Sequence, residues 1–337
     1  MKQFFLKILT IIFLSISIIG CDSQPVNMDT PHVAHPRKAA TVWDRLANNS
    51  QIKTEKNNPR VQRFIKMYTE KPYHKANLVQ YTEQATPYIY YVVGKLEQNG
   101  MPSELALLPI IESEYKPHAT SNRGAVGIWQ IAAMTGRLYG LKRDQWYDGR
   151  KDIDAATEMA LAYLDSLYEQ FNHDWLLALA AYNCGDGRVS QAIRKNKKLG
   201  KATDYWSLSL PKETQLFVPK FLAIAYIIQN AKELGIQIAP IANKPYFTKV
   251  TLKAPINLTK AADMANVHVN EIKKLNPALR AHTTRPNGPH EILLPVSNAA
   301  IFRANAYKLD IKKPAEPQPK KLKAKKKSKV KTKTKQT

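Results

Sequence analysis

One glutamate in an apolar setting, Glu112, is the residue of this sequence best suited to chemistry. The side chains just before it are apolar: Leu107, Leu108, Ile110 and Ile111. Burial among such side chains raises the pKa of a carboxyl because it disfavours the ionised form. A carboxyl that keeps its proton near neutral pH can protonate the leaving oxygen of a glycosidic bond. The apolar setting therefore suits Glu112 to the role of a general acid, whereas a glutamate considered alone is ordinarily a solvated surface residue.

A second carboxylate to accompany Glu112 is not evident. Most glycosidases pair their acid with a carboxylate that acts as nucleophile or base. Glu114 is two residues further on, about 200° around a helix, and should point away. Four aspartates follow, and nothing in their spacing singles one out: Asp144, Asp148, Asp152 and Asp154. We therefore expect a carboxyl that works without an obvious partner.

Three short motifs follow one another along the chain, and their order is informative. They are Glu112-Ser113, the run from Gly127 to Gln130, and Ala-Tyr-Asn ending at Asn183. Together they resemble the soluble lytic transglycosylase family, which cuts the glycan strands of peptidoglycan. The resemblance implies that one glutamate acts twice. It first protonates the bond between N-acetylmuramic acid and N-acetylglucosamine, and then takes the proton of the muramoyl 6-hydroxyl, which closes a 1,6-anhydro ring without water. Such an enzyme is a lyase.

The same resemblance implies roles for five further residues. Ser113 would lie near the acetamido group of the substrate. Gly127 would let the backbone approach the saccharide, since it has no Cβ. Gln130 would hydrogen-bond in the cleft, and Tyr182 and Asn183 would line it, with the asparagine side chain facing the glycan.

Two longer stretches, residues 146–153 and 206–214, resemble the D subgroup of membrane-bound lytic murein transglycosylases. The similarity extends over residues 60–300. The family usually carries a tyrosine where this chain has Phe217, and that hydroxyl reaches the active site. Phe217 favours one alternative, a non-catalytic protein that binds peptidoglycan. A second alternative also stays open, a muramidase on the same fold, which adds water.

Helical spacing of apolar residues dominates residues 60–238. The clearest helix places six side chains on one face: Ala160, Tyr163, Leu164, Leu167, Tyr168 and Phe171. The run from Trp175 to Tyr182 is apolar nearly all round, which indicates a buried central helix that ends before Gly185. We expect a lysozyme-like, all-helical catalytic domain.

Residues 244–300 have a different sequence pattern from the helical part. Two strand-like runs, Phe247–Leu252 and Glu291–Pro295, enclose two short helices. This βααβ order and the run Leu275-Asn276-Pro277 resemble the LysM module, a small α+β fold that binds glycans. The Gly-Asp that usually follows the first strand is missing, so the match is degenerate. The expected fold class is thus mainly α with one small α+β domain.

The N-terminus is typical of an exported lipoprotein. Residues 1–20 have a basic start and a short apolar run, as signal peptides do. The segment from Ile18 to Cys21 resembles the bacterial lipobox. This resemblance predicts lipidation of Cys21 and attachment to a membrane. The alternative is an ordinary signal peptide with an incidental cysteine. Asp22 favours the inner membrane of a Gram-negative bacterium, with the protein facing the periplasm. Residues 21–59 read as a tether.

Charge is concentrated at the other end of the chain. The formal net charge is +24, and residues 312–337 hold twelve lysines and one glutamate. We expect residues 309–337 to be disordered, because they have too few apolar side chains to form a core. We expect this tail either to contact an anionic surface or to have no dedicated partner. Nucleic acid is excluded as a partner because the signal peptide directs the chain out of the cytoplasm. The eight histidines are scattered, so no metal or cofactor is expected.

Overall fold

A computed structural model describes residues 39–306, which are mainly helical with one two-stranded sheet. The α-helices are α1 Val42–Asn48, α2 Pro59–Glu70, α3 Pro72–Ala85, α4 Ile89–Gln98, α5 Leu108–Ser113, α6 Ala133–Leu138, α7 Ile153–Gln170, α8 Trp175–Cys184, α9 Asp186–Lys198, α10 Lys212–Gln229, α11 Leu258–Ala265, α12 Val269–Leu275 and α13 Val296–Ala306. The strands are β1 Phe247–Thr251 and β2 Glu291–Pro295. The mainly α fold class is confirmed. The predicted signal peptide, Cys21 and the lysine-rich tail lie outside the described residues.

Helix α5 carries Glu112, and a proline in the first turn favours the start of this helix. A 3-10 helix, Ser103–Leu107, precedes it. Pro109 lies in the first turn of α5, where its missing N–H leaves no bond unmade. The helix ends at Ser113 because Glu114 takes a left-handed conformation, with φ 56°. The Tyr115 hydroxyl then donates to the Ala106 carbonyl at 2.7 Å, which holds the turn against the preceding 3-10 helix.

The helical part packs around α8 and α10. Residues 177–181 of α8 are all buried, as its apolar sequence predicts. Helix α10 packs against α1, α2, α5 and α8, and it contains an internal proline, Pro219. Trp129 is fully buried, and its indole N–H donates to Thr157 at 3.0 Å. A buried core therefore lies directly behind the loop that follows Glu112.

The packed body begins earlier than residue 60, where the tether was expected to end. Val42, Trp43 and Leu46 of α1 are buried in the same core as α8 and α10. The Trp43 indole N–H donates to the Ala239 carbonyl at 2.7 Å. Burial of three apolar side chains thus stabilises α1 against the helical part. Residues 42–48 belong to the core rather than to a tether.

The βααβ module forms as the sequence predicts, with one addition. Strands β1 and β2 pair antiparallel, Phe247 opposite Pro295 and Val250 opposite Ile292. The two helices between them are α11 and α12. Helix α13 was not predicted, and its Phe302 is fully buried in the core of the module. The module therefore continues past residue 300.

The module is docked on the helical part by both apolar and polar contacts. Leu275 and Leu293 pack in the core of the helical part rather than in that of the module. The Asp148 backbone N–H donates to the Ala278 carbonyl at 2.9 Å. The Arg280 backbone N–H donates in turn to the Trp146 carbonyl at 2.8 Å. The loop 144–148 is thereby held by the module.

Arg150 extends this support to the loop that follows Glu112. Its side chain donates to both carboxylate oxygens of Asp148, at 3.0 and 2.8 Å, and both side chains are buried. Its Nη1 also donates to the carbonyls of Gly124 at 3.1 Å and Ile131 at 3.4 Å. A buried guanidinium is tolerated only when it is paired and hydrogen-bonded, as it is here. It joins the loop 121–131 to the loop 144–148.

Among residues 39–306, no helix has both the length and the apolar character that crossing a membrane requires.

We predict that Arg150→Met lowers the free energy of unfolding by about 3 kcal/mol, because it removes the buried partner of the Asp148 carboxylate. Within residues 39–306, only the exposed Arg143, at 3.4 Å, then remains paired with this carboxylate. Urea denaturation followed by circular dichroism would measure this. The double variant Asp148→Asn with Arg150→Met is the control. It should recover part of the lost stability, since no unpaired charge remains. A single variant as stable as the wild type would contradict the role assigned to this ion pair.

Candidate active site

A cleft of about 530 Å³ contains Glu112. One wall is the loop after α5, and the others come from α7, the end of α8 and the start of α10. The lining residues are Glu112, Ser121, Asn122, Arg123, Ala125, Gln130, Ile131, Ala132, Thr135, Met159, Tyr163, Tyr182, Asn183, Gly185 and Glu213. Four of the predicted site residues therefore meet in one cavity: Glu112, Gln130, Tyr182 and Asn183.

The Glu112 carboxyl has the electrostatics of an acid. Its pKa is raised to about 8, mainly because burial disfavours the ionised form, and further because Glu213 is near. Lys220 acts in the opposite direction. Within residues 39–306 no hydrogen bond engages this carboxyl. At neutral pH, Glu112 is thus a protonated carboxyl that faces an open cleft.

Two predicted site residues use their hydroxyls to hold the loop that follows Glu112. Ser113 is buried, does not line the cleft, and donates to the Ile128 carbonyl at 2.8 Å. Tyr182 lines the cleft, but its hydroxyl donates to the Trp129 carbonyl at 2.8 Å. The geometry makes both residues supports of the cleft wall. The place of Ser113 near the acetamido group of a substrate stays a prediction.

Gly127 has a structural role in the same loop. It does not line the cleft, and its φ of +80° lies in the region that favours glycine. A Cβ there would collide with the backbone carbonyl oxygen of Arg150. The absence of a side chain thus serves close packing of the loop on the 3-10 helix Gly149–Lys151. The approach of a saccharide to Gly127 stays a prediction.

Gln130 and Asn183 present amide groups in the cleft. Gln130 has a left-handed backbone, with φ 48°, and its Nε2 donates to the Gly127 carbonyl at 2.9 Å. The Asn183 Oδ1 accepts from the Thr214 hydroxyl at 2.7 Å, which orients the amide. Among the described residues its Nδ2 donates to no acceptor. Asn183 can therefore donate to a polar ligand in the cleft.

The four aspartates considered above are all used elsewhere. Asp148 pairs with Arg150, and Asp144 with Arg285 at 2.9 Å. Asp152 caps α7, and Asp154 pairs with Lys249 at 2.5 Å. Glu114 pairs with Lys116 and does not line the cleft, as expected, although it lies just after the end of α5 rather than on the helix.

Glu213 is the carboxylate that sequence reasoning missed. It lies in the first turn of α10, is exposed, and lines the same cleft as Glu112. It is 101 residues away along the chain, so no local spacing could pair it with Glu112. An acidic residue in the first turn also has an ordinary explanation, since it complements the helix dipole. The only available signal was its place in a motif of the family that the chain resembles.

Lys220 and Phe217 lie on the same face of α10 as Glu213, at helical spacing. Lys220 is half-buried, and burial lowers its pKa, an effect that Glu114 and Glu112 oppose. Phe217 is buried and does not line the cleft. Tyr163 does line it, and its hydroxyl has no hydrogen-bond partner among the described residues. The cleft therefore has an unengaged phenol, although α10 has a phenylalanine at position 217.

No three histidine, cysteine, aspartate or glutamate side chains converge to hold a metal ion within residues 39–306.

Comparison with known proteins assigns both domains. Residues 91–205 match the Transglycosylase SLT domain, and residues 246–311 match the LysM-like domain of lytic transglycosylase MltD. The membrane-bound lytic murein transglycosylase D of Escherichia coli K12 is 43% identical over 230 residues, which are 68% of this chain and 51% of the relative. The chain thus spans about half the length of the curated relatives that it matches.

Solved structures of lytic transglycosylases are also similar to parts of the chain. An inactive variant of Slt from Pseudomonas aeruginosa is 28% identical, with a TM-score of 0.35, over 45% of this chain and 25% of that one. The 70 kDa soluble lytic transglycosylase of Escherichia coli is 22% identical, with a TM-score of 0.37, over 60% and 35%. From the two domain matches and the identity to the curated relative, the chain is a homologue of membrane-bound lytic murein transglycosylase D, with a transglycosylase SLT domain followed by an MltD LysM-like domain.

Proposed function

We propose that this protein is a peptidoglycan lytic transglycosylase that cleaves the β-1,4 bond between N-acetylmuramic acid and N-acetylglucosamine and forms 1,6-anhydromuramoyl ends. The observation that carries the proposal is the Glu112 carboxyl, which lies in the cleft of an SLT domain with its pKa raised to about 8. Cleavage needs a proton donor at neutral pH, and this carboxyl still holds its proton there.

Glu112 acts in both halves of the reaction. It first gives its proton to the glycosidic oxygen, and the bond from that oxygen to the muramoyl C1 breaks. The ionised Glu112 then accepts the proton of the muramoyl 6-hydroxyl, whose oxygen forms the new bond to C1. The carboxyl ends as it began, and no water enters the product.

The charges around Glu112 suit this cycle. Burial and Glu213 keep the carboxyl protonated before the first step. Lys220 favours the ionised form, so it stabilises the carboxylate that exists between the two steps. Glu112 can thus lose and regain a proton without a large bias toward either state.

A muramidase is the second candidate, and Glu213 is the observation that favours it. A second carboxylate in the same cleft could direct a water molecule to the muramoyl C1. Glu213 is exposed, however, so it lies in contact with solvent at the rim of the cleft. The products distinguish the two reactions, because hydrolysis leaves reducing ends and transglycosylation leaves anhydro ends.

The proposed substrate is the glycan strand of peptidoglycan, with no cofactor. The proposed location is the periplasmic face of a membrane in a Gram-negative bacterium, with attachment through lipidated Cys21 and the inner membrane favoured by Asp22. A homologue that is membrane-bound supports the attachment. The lysine-rich tail would contact an anionic surface, and nucleic acid is not a proposed partner.

We predict that Glu112→Gln lowers the rate of anhydromuropeptide release from purified sacculi by a factor on the order of 10³, because the amide can neither give nor take the proton. Mass spectrometry of the released fragments would measure this. Anhydro ends formed by the variant at the wild-type rate would reject Glu112 as the acid. Reducing ends formed by the wild type would favour the muramidase instead.

A fold control for this variant follows from the same pKa. In the folded protein the Glu112 pKa of about 8 lies above its ordinary 4.5, so the wild type loses stability as pH rises from the lower value through the higher one. The amide of the Glu112→Gln variant does not ionise. The gain in Tm of the variant over the wild type should therefore be larger at about pH 9 than at about pH 4.

Opposite shifts of the pH profile are expected from two neighbours of Glu112. Glu213→Gln removes a negative charge, so the Glu112 pKa falls and kcat/KM declines at a lower pH than in the wild type. Lys220→Met removes a positive charge, so the Glu112 pKa rises and the decline moves to a higher pH. Initial rates across the alkaline range would measure both. Shifts in the same direction would contradict the assigned electrostatics.

The hydroxyl that α10 lacks at Phe217 is expected to come from Tyr163. Tyr163→Phe should lower kcat/KM about tenfold, the effect of one lost hydrogen bond. Adding Phe217→Tyr should restore part of the rate, because residue 217 is on the face of α10 that carries Glu213. Tyr139→Phe is the matched control, since that hydroxyl pairs with Ser166 at 3.0 Å and does not line the cleft. Equal losses in the two phenylalanine variants would refute the role of Tyr163.

A further inference from the structure

A second groove, of about 790 Å³, runs along α9 next to the cleft. Its walls are one face of α9 and the segment 209–211. No aspartate or glutamate among the described residues lines the groove. Four exposed cations line it: Arg188, Arg194, Lys195 and Lys198. None of the four forms an ion pair within residues 39–306. The groove therefore has a strong positive charge that its own walls do not neutralise.

Helix stability does not explain this arrangement. Arg188 lies in the first turn of α9, where a cation opposes the helix dipole. Lys198 follows Lys195 by three residues and Arg194 by four, and like charges at these spacings destabilise a helix. Only the position of Lys195 and Lys198 in the last turn is favourable to the dipole. An anionic ligand therefore explains the four cations better than the stability of α9 does.

The groove is formed before any ligand binds. Asn196 is buried, and its Nδ2 donates to the carbonyls of Ala202 at 2.7 Å and Ser207 at 2.9 Å. Gln215 of α10 donates to the Leu210 carbonyl at 2.8 Å. These bonds hold the segment 202–210 against α9 and α10. The spacing between the two walls is thus set by buried or half-buried side chains.

The groove and the cleft are lined by neighbouring residues of the same two chain segments. Gly185 lines the cleft, and Arg188 lines the groove one helical turn later. On the other wall, Glu213 lines the cleft and Pro211 lines the groove. A ligand that extends out of the cleft between α9 and α10 would enter the groove directly.

We infer that this groove binds the acidic peptide branches of peptidoglycan while the sugar strand lies in the cleft. The inference rests on the proposed function, since it assumes that glycan occupies the cleft. From Arg188 to Lys198 the helix is about 15 Å long, and an extended peptide of four or five residues spans about 13–17 Å. Carboxylates spaced along such a branch can pair with cations spaced along α9. The chain would therefore distinguish glycan that carries peptides from bare glycan.

Binding, rather than turnover, tests this inference. The protein is the full chain with Glu112→Gln, so that the ligand is not cleaved. The ligands are a peptidoglycan tetrasaccharide with its peptide branches and the same tetrasaccharide without them. The ratio of the two affinities, measured by calorimetry, should favour the peptide-bearing form. Combining Arg194→Gln, Lys195→Gln and Lys198→Gln should lower that ratio about tenfold, as expected for three exposed charge pairs.

The matched control removes three charges outside the groove: Lys197→Gln, Lys201→Gln and Lys232→Gln. All three lysines are exposed and none lines the groove. This control should keep the wild-type ratio. Added salt should reduce the ratio in the wild type and the control alike, because it screens exposed charges.

Three results would overturn the inference. They are a wild type that does not discriminate between the two ligands, a groove variant that keeps the wild-type ratio, and a control variant that loses it to the same extent. Vesicles that contain phosphatidylglycerol test a lipid surface: weaker vesicle binding by the groove variant, with the ratio unchanged, would assign the groove to lipid instead. The proposed function is tested separately. If the wild-type protein released no anhydro ends, the proposed function would be contradicted, but the ratio of the two affinities measured with Glu112→Gln would still stand.

Discussion

The buried guanidinium of Arg150 has to find every hydrogen-bond partner within the protein, and the cleft depends on how it does so. Its ion pair with Asp148 satisfies one side, and the carbonyls of Gly124 and Ile131 satisfy the other. Since an unsatisfied buried charge is very unfavourable, these groups cannot separate independently. The loop that lines the cleft is therefore tied to the loop on which the LysM-like domain is docked. The second domain thus contributes to the shape of a site that it does not line.

Much of the architecture could be predicted because it depends on local pattern. The apolar run of α8 and the βααβ order needed only periodicity and turn residues. Other features depend on partners that are distant in sequence. Gly127 is a glycine because of the backbone of Arg150, and α1 is a core helix because Trp43 reaches Ala239. No reading of the neighbouring residues could have shown these contacts.

The candidate site divides in the same way. Glu112 could be identified because it stands in an ordered set of motifs that resembles a known family. Its apolar flanking residues also indicated the burial that is the main cause of its raised pKa. Glu213 and Lys220 could not be identified, because their effect on Glu112 depends on the packing of α10 against α5. The sequence of α10 shows an acidic first turn and a lysine in an apolar helix, and both have ordinary explanations. Their significance appears only when the helix is placed beside the cleft.

The docking of α1 has a mechanical consequence. The Val42 backbone N–H donates to the Ile241 carbonyl at 2.9 Å, and Thr41 bridges to Ala242 in the segment that joins the two domains. A pull on the chain at residue 39 would load this joint first. Because the bridge there is antiparallel, its hydrogen bonds and the buried Trp43 side chain would share the force. Tension applied at residue 39 would thus reach the linker before it reached Glu112 in the cleft.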